Sequence, residues 1–207
     1  MLFAIQQLES KPDSRQLDIL VKIGYFDEFG PPKALLIGIE IFNKFSKCKT
    51  IKLDKWRGIG YNVDMLAPYA GKMTDKTASQ LDNHGIVLAI LRSMKMPKTT
   101  IIDRLKWQSE LLGYVDTCDP KSPITDWLVL DVKTTGYGTV YCRLYNISIG
   151  IEREMRANRQ FWAKNKLERG DAIRAVTQEK NKMKKDENGE WVRTDQTYQE
   201  LKAWKKL

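Results

Sequence analysis

The chain has 207 residues, 42% of them hydrophobic and 10% aromatic, with a net charge of +9 and a pI near 9.4. That apolar content argues against wholesale disorder and allows one large or two small domains, while the positive balance favours a polyanionic partner. No apolar run approaches the roughly eighteen residues of a membrane span, and Met1-Leu2-Phe3-Ala4-Ile5 is too short for a signal peptide, so a cytoplasmic protein without a membrane partner is expected.

In chain order, Asp13 or Ser14 can cap a helix whose apolar positions Leu17, Leu20 and Val21 recur at i, i+3 and i+4. Gly24 ends it where a left-handed residue is least costly. Tyr25, Phe26 and Phe29 make an aromatic corner, and Pro31-Pro32 opens a second helix with Leu35, Leu36, Ile39, Ile41, Phe42 and Phe45 on its apolar side. Thr50–Leu53 alternates briefly, as a short strand or an extended connection does. Thr74-Asp75 reads as the start of a helix through Ala78, Leu81, Ile86, Leu88, Ile90 and Leu91, closed by Pro97. Thr99 or Thr100 caps a further helix, Ile101–Leu112, ended by Gly113. Asp119-Pro120-Lys121-Ser122-Pro123 is the best linker in the chain.

After the linker the period changes from helical to alternating. Trp127–Val132 is a strand, Thr134–Gly138 a Gly-containing turn, and Val140–Tyr145 a second strand. Val140, Cys142 and Leu144 share one face of that second strand; Tyr141, Arg143 and Tyr145 share the other. Ile151–Ala157 is a third strand, Arg159–Asn165 a short helix anchored by Phe161 and Trp162, and Ala172–Gln178 a fourth strand. A polar loop over 179–189 leads to a fifth strand near Glu190–Arg193. Three strands, a short helix and two strands are the chain order of an OB-fold. The expected class is therefore α+β: a small α-helical domain followed by a five-stranded OB-fold β-barrel. The boundaries are 1–118 for the helical region, 119–125 for the linker, 126–194 for the barrel, and 195–207 for a C-terminal tail that could be helical.

An OB-fold binds nucleic acid on strands 2 and 3 and on the loops joining strands 1 to 2 and 4 to 5. Candidate binding residues at those places are Lys133 and Tyr137 in and beside the first loop, and Tyr141, Arg143 and Tyr145 on strand 2. Lys180, Lys182, Lys184 and Lys185 occupy the second loop. Rings stack on bases and lysines track phosphate; a solvated strand face and a solvated charge run would carry the same residues. Residues 151–207 hold fifteen Lys/Arg against ten Asp/Glu. His84 is the lone histidine, and Cys48, Cys118 and Cys142 are widely spaced, so no zinc pattern forms and free buried thiols are expected. No nucleophile elbow, phosphate-binding Gly loop or dinucleotide fingerprint is present. No catalytic residue, metal site or cofactor is assigned.

Three segments resemble a known family. Leu17–Gly30 (LDILVKIGYFDEFG) resembles the end of the helix-hairpin-helix region of the bacterial replicative DNA polymerase III alpha subunit. Trp107–Tyr114 (WQSELLGY) is similar to the helix end preceding that family's OB domain, and Leu167–Ile173 (LERGDAI) to the entry of its fourth OB strand. Asp116–Pro120 replaces the family's usual sequence after that helix, as in divergent Gram-positive or phage versions. The resemblance implies a non-catalytic region that binds the single-stranded DNA template for the rest of a polymerase, whose catalytic aspartates lie upstream of what this chain matches. It also implies a sliding-clamp peptide, which Gln108–Leu112 fits loosely; Leu111-Leu112 reads as helix core instead. A free-standing single-strand DNA- or RNA-binding protein and a protein-interaction scaffold are the rival readings.

Overall fold

A computed structural model describes residues 12–207; the Met1–Ile5 stretch weighed as a signal peptide lies outside them. The described chain divides into two compact units between Thr99 and Thr100, so the division precedes the 119–125 segment expected as the linker.

The first unit opens with α1 (Ser14–Lys22). Asp13 caps it, accepting from the Gln16 backbone N–H at 2.7 Å, while the Gln16 side chain accepts from the Asp13 N–H. Gly24, at φ 90°, turns the chain out of the helix as expected. Next comes α2 (Pro32–Phe45), started by its proline pair. Strands β1 (Thr50–Lys52), β2 (Ala70–Met73) and β3 (Thr77–Leu81) form an antiparallel sheet in the order β1-β3-β2, with α3 (Leu53–Gly58) between β1 and β2. The unit is therefore mixed rather than purely helical. The expected helix start at Thr74 is also overturned. Thr74 instead closes the β2–β3 hairpin, its N–H donating to the Thr77 carbonyl at 2.8 Å, and Ala78 is buried in the sheet. Asp82 caps the real helix, α4 (Asn83–Ser93). Phe42, Phe45, Ile51, Trp56, Leu66 and Ile90 centre this unit's core.

The second unit begins with α5 (Ile101–Leu111), capped by Thr100 with Asp103 answering from the third position. Then follow β4 (Asp126–Thr134), β5 (Val140–Asn146), β6 (Glu152–Ala157), α6 (Arg159–Lys164), β7 (Ala172–Lys185) and β8 (Trp191–Lys206). The five strands close in the order β4-β5-β6-β8-β7. All neighbours are antiparallel except β6 and β8, which run parallel. The tail 195–207, open to a helix in the sequence, is the body of β8. Its Leu201 and Trp204 imitate helical spacing because the β7–β8 register slips between Val176 and Thr177. That bulge inserts Lys202 as an extra residue, so Leu201 and Trp204 both face the interior although three apart.

A second bulge lies between Val129 and Asp131. Ahead of it Trp127 and Val129 point into the barrel with Cys142, Leu144, Met155 and Ile173. Leu128 and Leu130 point outward under Leu105 of α5, together with Val115, Tyr145 and Ile147. Being covered on both faces is why this strand reads as an unbroken apolar run rather than an alternation. Among the described residues no helix is long and apolar enough to cross a membrane.

Candidate functional site

Between β4 and β5 the Thr135 N–H donates to the Thr139 carbonyl at 2.8 Å and Gly138 takes φ 74°, a tight closure that leaves the Tyr137 ring 97% exposed. Across the barrel's outer face the register lines up Lys133, Tyr141, Arg156, Glu200 and Gln178 in one row. Tyr198 stands opposite Lys180 on the neighbouring rung, and the Arg156 guanidinium lies 5.6 Å from the Tyr198 ring centroid. A groove of about 420 Å³ opens here, lined among others by Tyr137, Arg156, Arg159, Trp162, Tyr198 and Glu200. Glu200 is buried and forms an ion pair with Lys180 at 2.5 Å; that hydrogen bond raises the lysine's pKa and keeps it charged. The groove thus gathers cations and rings from neighbouring elements, with one carboxylate already neutralised.

The expected ladder Tyr141–Arg143–Tyr145 is only partly present. Tyr141 remains on the outer face, half-buried. Arg143 is exposed but sits between Asp131 and Glu154 in the register, with Glu152 3.8 Å from its guanidinium, so carboxylates already surround it. Tyr145 is 2% exposed and cannot stack on a ligand. Its hydroxyl donates to the Thr117 carbonyl at 2.9 Å, and burial, followed by Cys118, Asp116 and Glu152, raises its pKa. The alternation was read correctly; what it did not reveal is that α5 and Val115 cover this end of the outer face.

Lys182, Lys184 and Lys185, expected in a loop, lie on the β7 strand of a long hairpin whose turn is only 186–190. Lys182 donates to Gln196, Lys184 pairs in register with Val192, and the Lys185 ammonium lies 5.6 Å from the Trp191 ring. Asp186, Glu187 and Glu190 at the turn offset these lysines. Lys133 is exposed, 3.6 Å from Asp131.

Arg156, Arg159 and Tyr198 were missed. Arg156 alternates with buried Met155 and Ala157 on β6, a signal available in the sequence; Tyr198 was hidden in the misread tail. In the loosely clamp-like segment, Gln108 is buried and donates to Asp116 and Thr117 at 2.6 and 2.9 Å. Leu111 and Leu112, read as helix core, are exposed. All three cysteines are free, but only Cys142 is buried: Cys48 is half-buried and Cys118 exposed. Burial pushes the Cys142 thiol up to about 11. Among the described residues no three His, Cys, Asp or Glu side chains are grouped to hold a metal ion. Comparison of the chain with protein-family models, curated proteins and solved structures finds no match.

Proposed function

We propose that residues 100–207 form an OB-fold that binds single-stranded nucleic acid in the groove between the β4–β5 loop, β6 and β8. The closed order 1-2-3-5-4, with a helix between the third and fourth strands, supports the fold reading. The observation that carries the function is the gathering of Tyr137, Tyr198, Arg156 and Arg159 around one groove, with Tyr141 and Lys133 on the adjoining row. Rings stack on any base, and the cations track the backbone. The partial resemblance to polymerase III alpha supports a template-binding, non-catalytic accessory role on DNA. An RNA preference would instead favour a separate RNA-binding module.

Fluorescence anisotropy with a fifteen-base oligonucleotide tests the reading. Tyr137→Ala and Tyr198→Ala each weaken binding by about 1–3 kcal/mol with the salt slope kept. Arg156→Ala weakens binding and lowers the slope by about 0.7, the single-strand value per phosphate. If the native chain shows no salt-sensitive association, or the tyrosine variants bind unchanged, the barrel is not the binding surface.

A further inference from the structure

A second site lies in the first unit, independent of the barrel. A pocket of about 490 Å³ opens between the end of α2, strand β1 and α3. Phe45, Ile51 and Trp56 form its apolar floor and are almost wholly buried, while Lys44, Lys52 and Lys55 stand exposed around it. Ile59, 42% exposed, extends the apolar surface at the rim. The stretch 44–57 holds six Lys or Arg residues and one carboxylate, Asp54, which is 3.5 Å from Arg57. Lys44, Lys52 and Lys55 form no ion pair among the described residues. In the barrel, by contrast, Arg174 pairs with Asp126, Lys180 with Glu200 and Lys206 with Asp171. The Lys44 ammonium lies over the Phe45 ring, 5.5 Å from its centroid, and three exposed lysines without ion pairs lining one pocket favour an anionic ligand.

The floor decides which anion. A phosphate backbone has no apolar group to place against Ile51 and Ile59. Trp56 and Phe45 are 1% and 6% exposed, so neither offers a face on which a base can stack. A polypeptide segment bearing carboxylates around one large apolar side chain satisfies both features at once. Strand β1 is also an edge of its sheet, with no strand partner on one side among the described residues, and can pair with an extended peptide. We propose that this pocket docks an acidic peptide of a partner protein, an apolar anchor seated against Ile51 and Ile59 and flanking carboxylates held by Lys44, Lys52 and Lys55.

The test uses the full chain and a fluorescein-labelled peptide of Asp and Glu residues flanking a single Phe. Two control peptides replace the Phe by Ala, or the acids by Asn and Gln. Saturable binding is expected, with both controls at least about tenfold weaker. Lys52→Glu/Lys55→Glu, both on exposed positions and checked by melting temperature, also loses at least about tenfold, whereas Tyr198→Ala leaves peptide affinity unchanged. The proposal is overturned if the native chain does not bind the peptide, if the Ala control binds as well as the parent, or if the lysine variant keeps its affinity. It is overturned equally if a thymidine oligonucleotide displaces the peptide and loses affinity for the lysine variant, which would make this a phosphate surface.

Discussion

Tyr145, which strand parity sets on the binding face, is a packing residue, whereas Tyr198, unassigned in the expected C-terminal tail, lines the groove. Tyr145 is a buried packing residue, so Tyr145→Ala is expected to cost about 3–5 kcal/mol of stability. Tyr145→Phe keeps the ring among Leu105, Leu128 and Ile147, and loses only the bond to the Thr117 carbonyl, about 1 kcal/mol. Denaturant melts of both variants, with oligonucleotide affinity unchanged in the Phe variant, check this; a binding loss in a fully stable Phe variant would put the hydroxyl back in the interface. Cys142 makes a pH prediction. Its folded pKa, about 11, lies above the ordinary 9.0, so the unfolded chain releases the proton first as pH rises. Its contribution is intact below about pH 9 and is lost between about 9 and 11, roughly 2–3 kcal/mol in all. Cys142→Ala should show a correspondingly shallower decline in stability over that alkaline window, and an equal decline in both proteins would refute the assignment.

At the scale of elements, the sequence made most of the barrel's chain order legible, because an apolar run marks β4, clean alternation marks β5, and Gly and Asn turns separate the strands. It hid three things, each with a physical cause. Bulges at Leu130 and Lys202 flip parity within a strand, so period-two counting fails across them. The polar 179–189 segment looked like a loop because both faces of that stretch of hairpin are solvated; its backbone bonds give it strand structure with few apolar side chains to announce it. The candidate groove was half legible: Lys133, Tyr137 and Tyr141 come from the loop and strand expected, whereas Arg156, Arg159 and Tyr198 arrive from elements that only the closed topology brings alongside. The hairpin carries its own prediction. Beyond Gln178 and Glu200 its strands pair only with each other, and a two-stranded ribbon is marginal by itself. Hydrogen exchange should therefore be many-fold faster over 181–197 than at Leu128, Leu144 or Ile173; equal protection would mean that something further braces the ribbon.

At the scale of the whole molecule, what counts is where an independently folding piece begins. A cut at the Pro120–Pro123 linker looks natural in the sequence, since that segment is polar and rich in turn residues. The packing places it inside the second unit. Leu105 is fully buried, and with Val115 it covers Leu128, Leu130, Tyr145 and Ile147 on the barrel's outer face. Gln108 bonds to Asp116 and Thr117 in the segment that leads to β4, and the Ser109 carbonyl accepts from the Arg169 guanidinium at 2.6 Å, just ahead of β7. Starting the chain at residue 122 would strip this cover from four apolar side chains. At about 1.5–3 kcal/mol for each, an upper figure because unfolded chains already bury some surface, the loss is comparable to the roughly 5–15 kcal/mol that holds a domain folded. A fragment of residues 100–207 is accordingly expected to unfold cooperatively on heating. One of residues 122–207 should melt far lower or fail to show a transition, and should bind a hydrophobic dye such as ANS through the uncovered face. Equal melting temperatures for the two fragments would show that the helix only rests on the barrel, and would return the boundary to the proline linker.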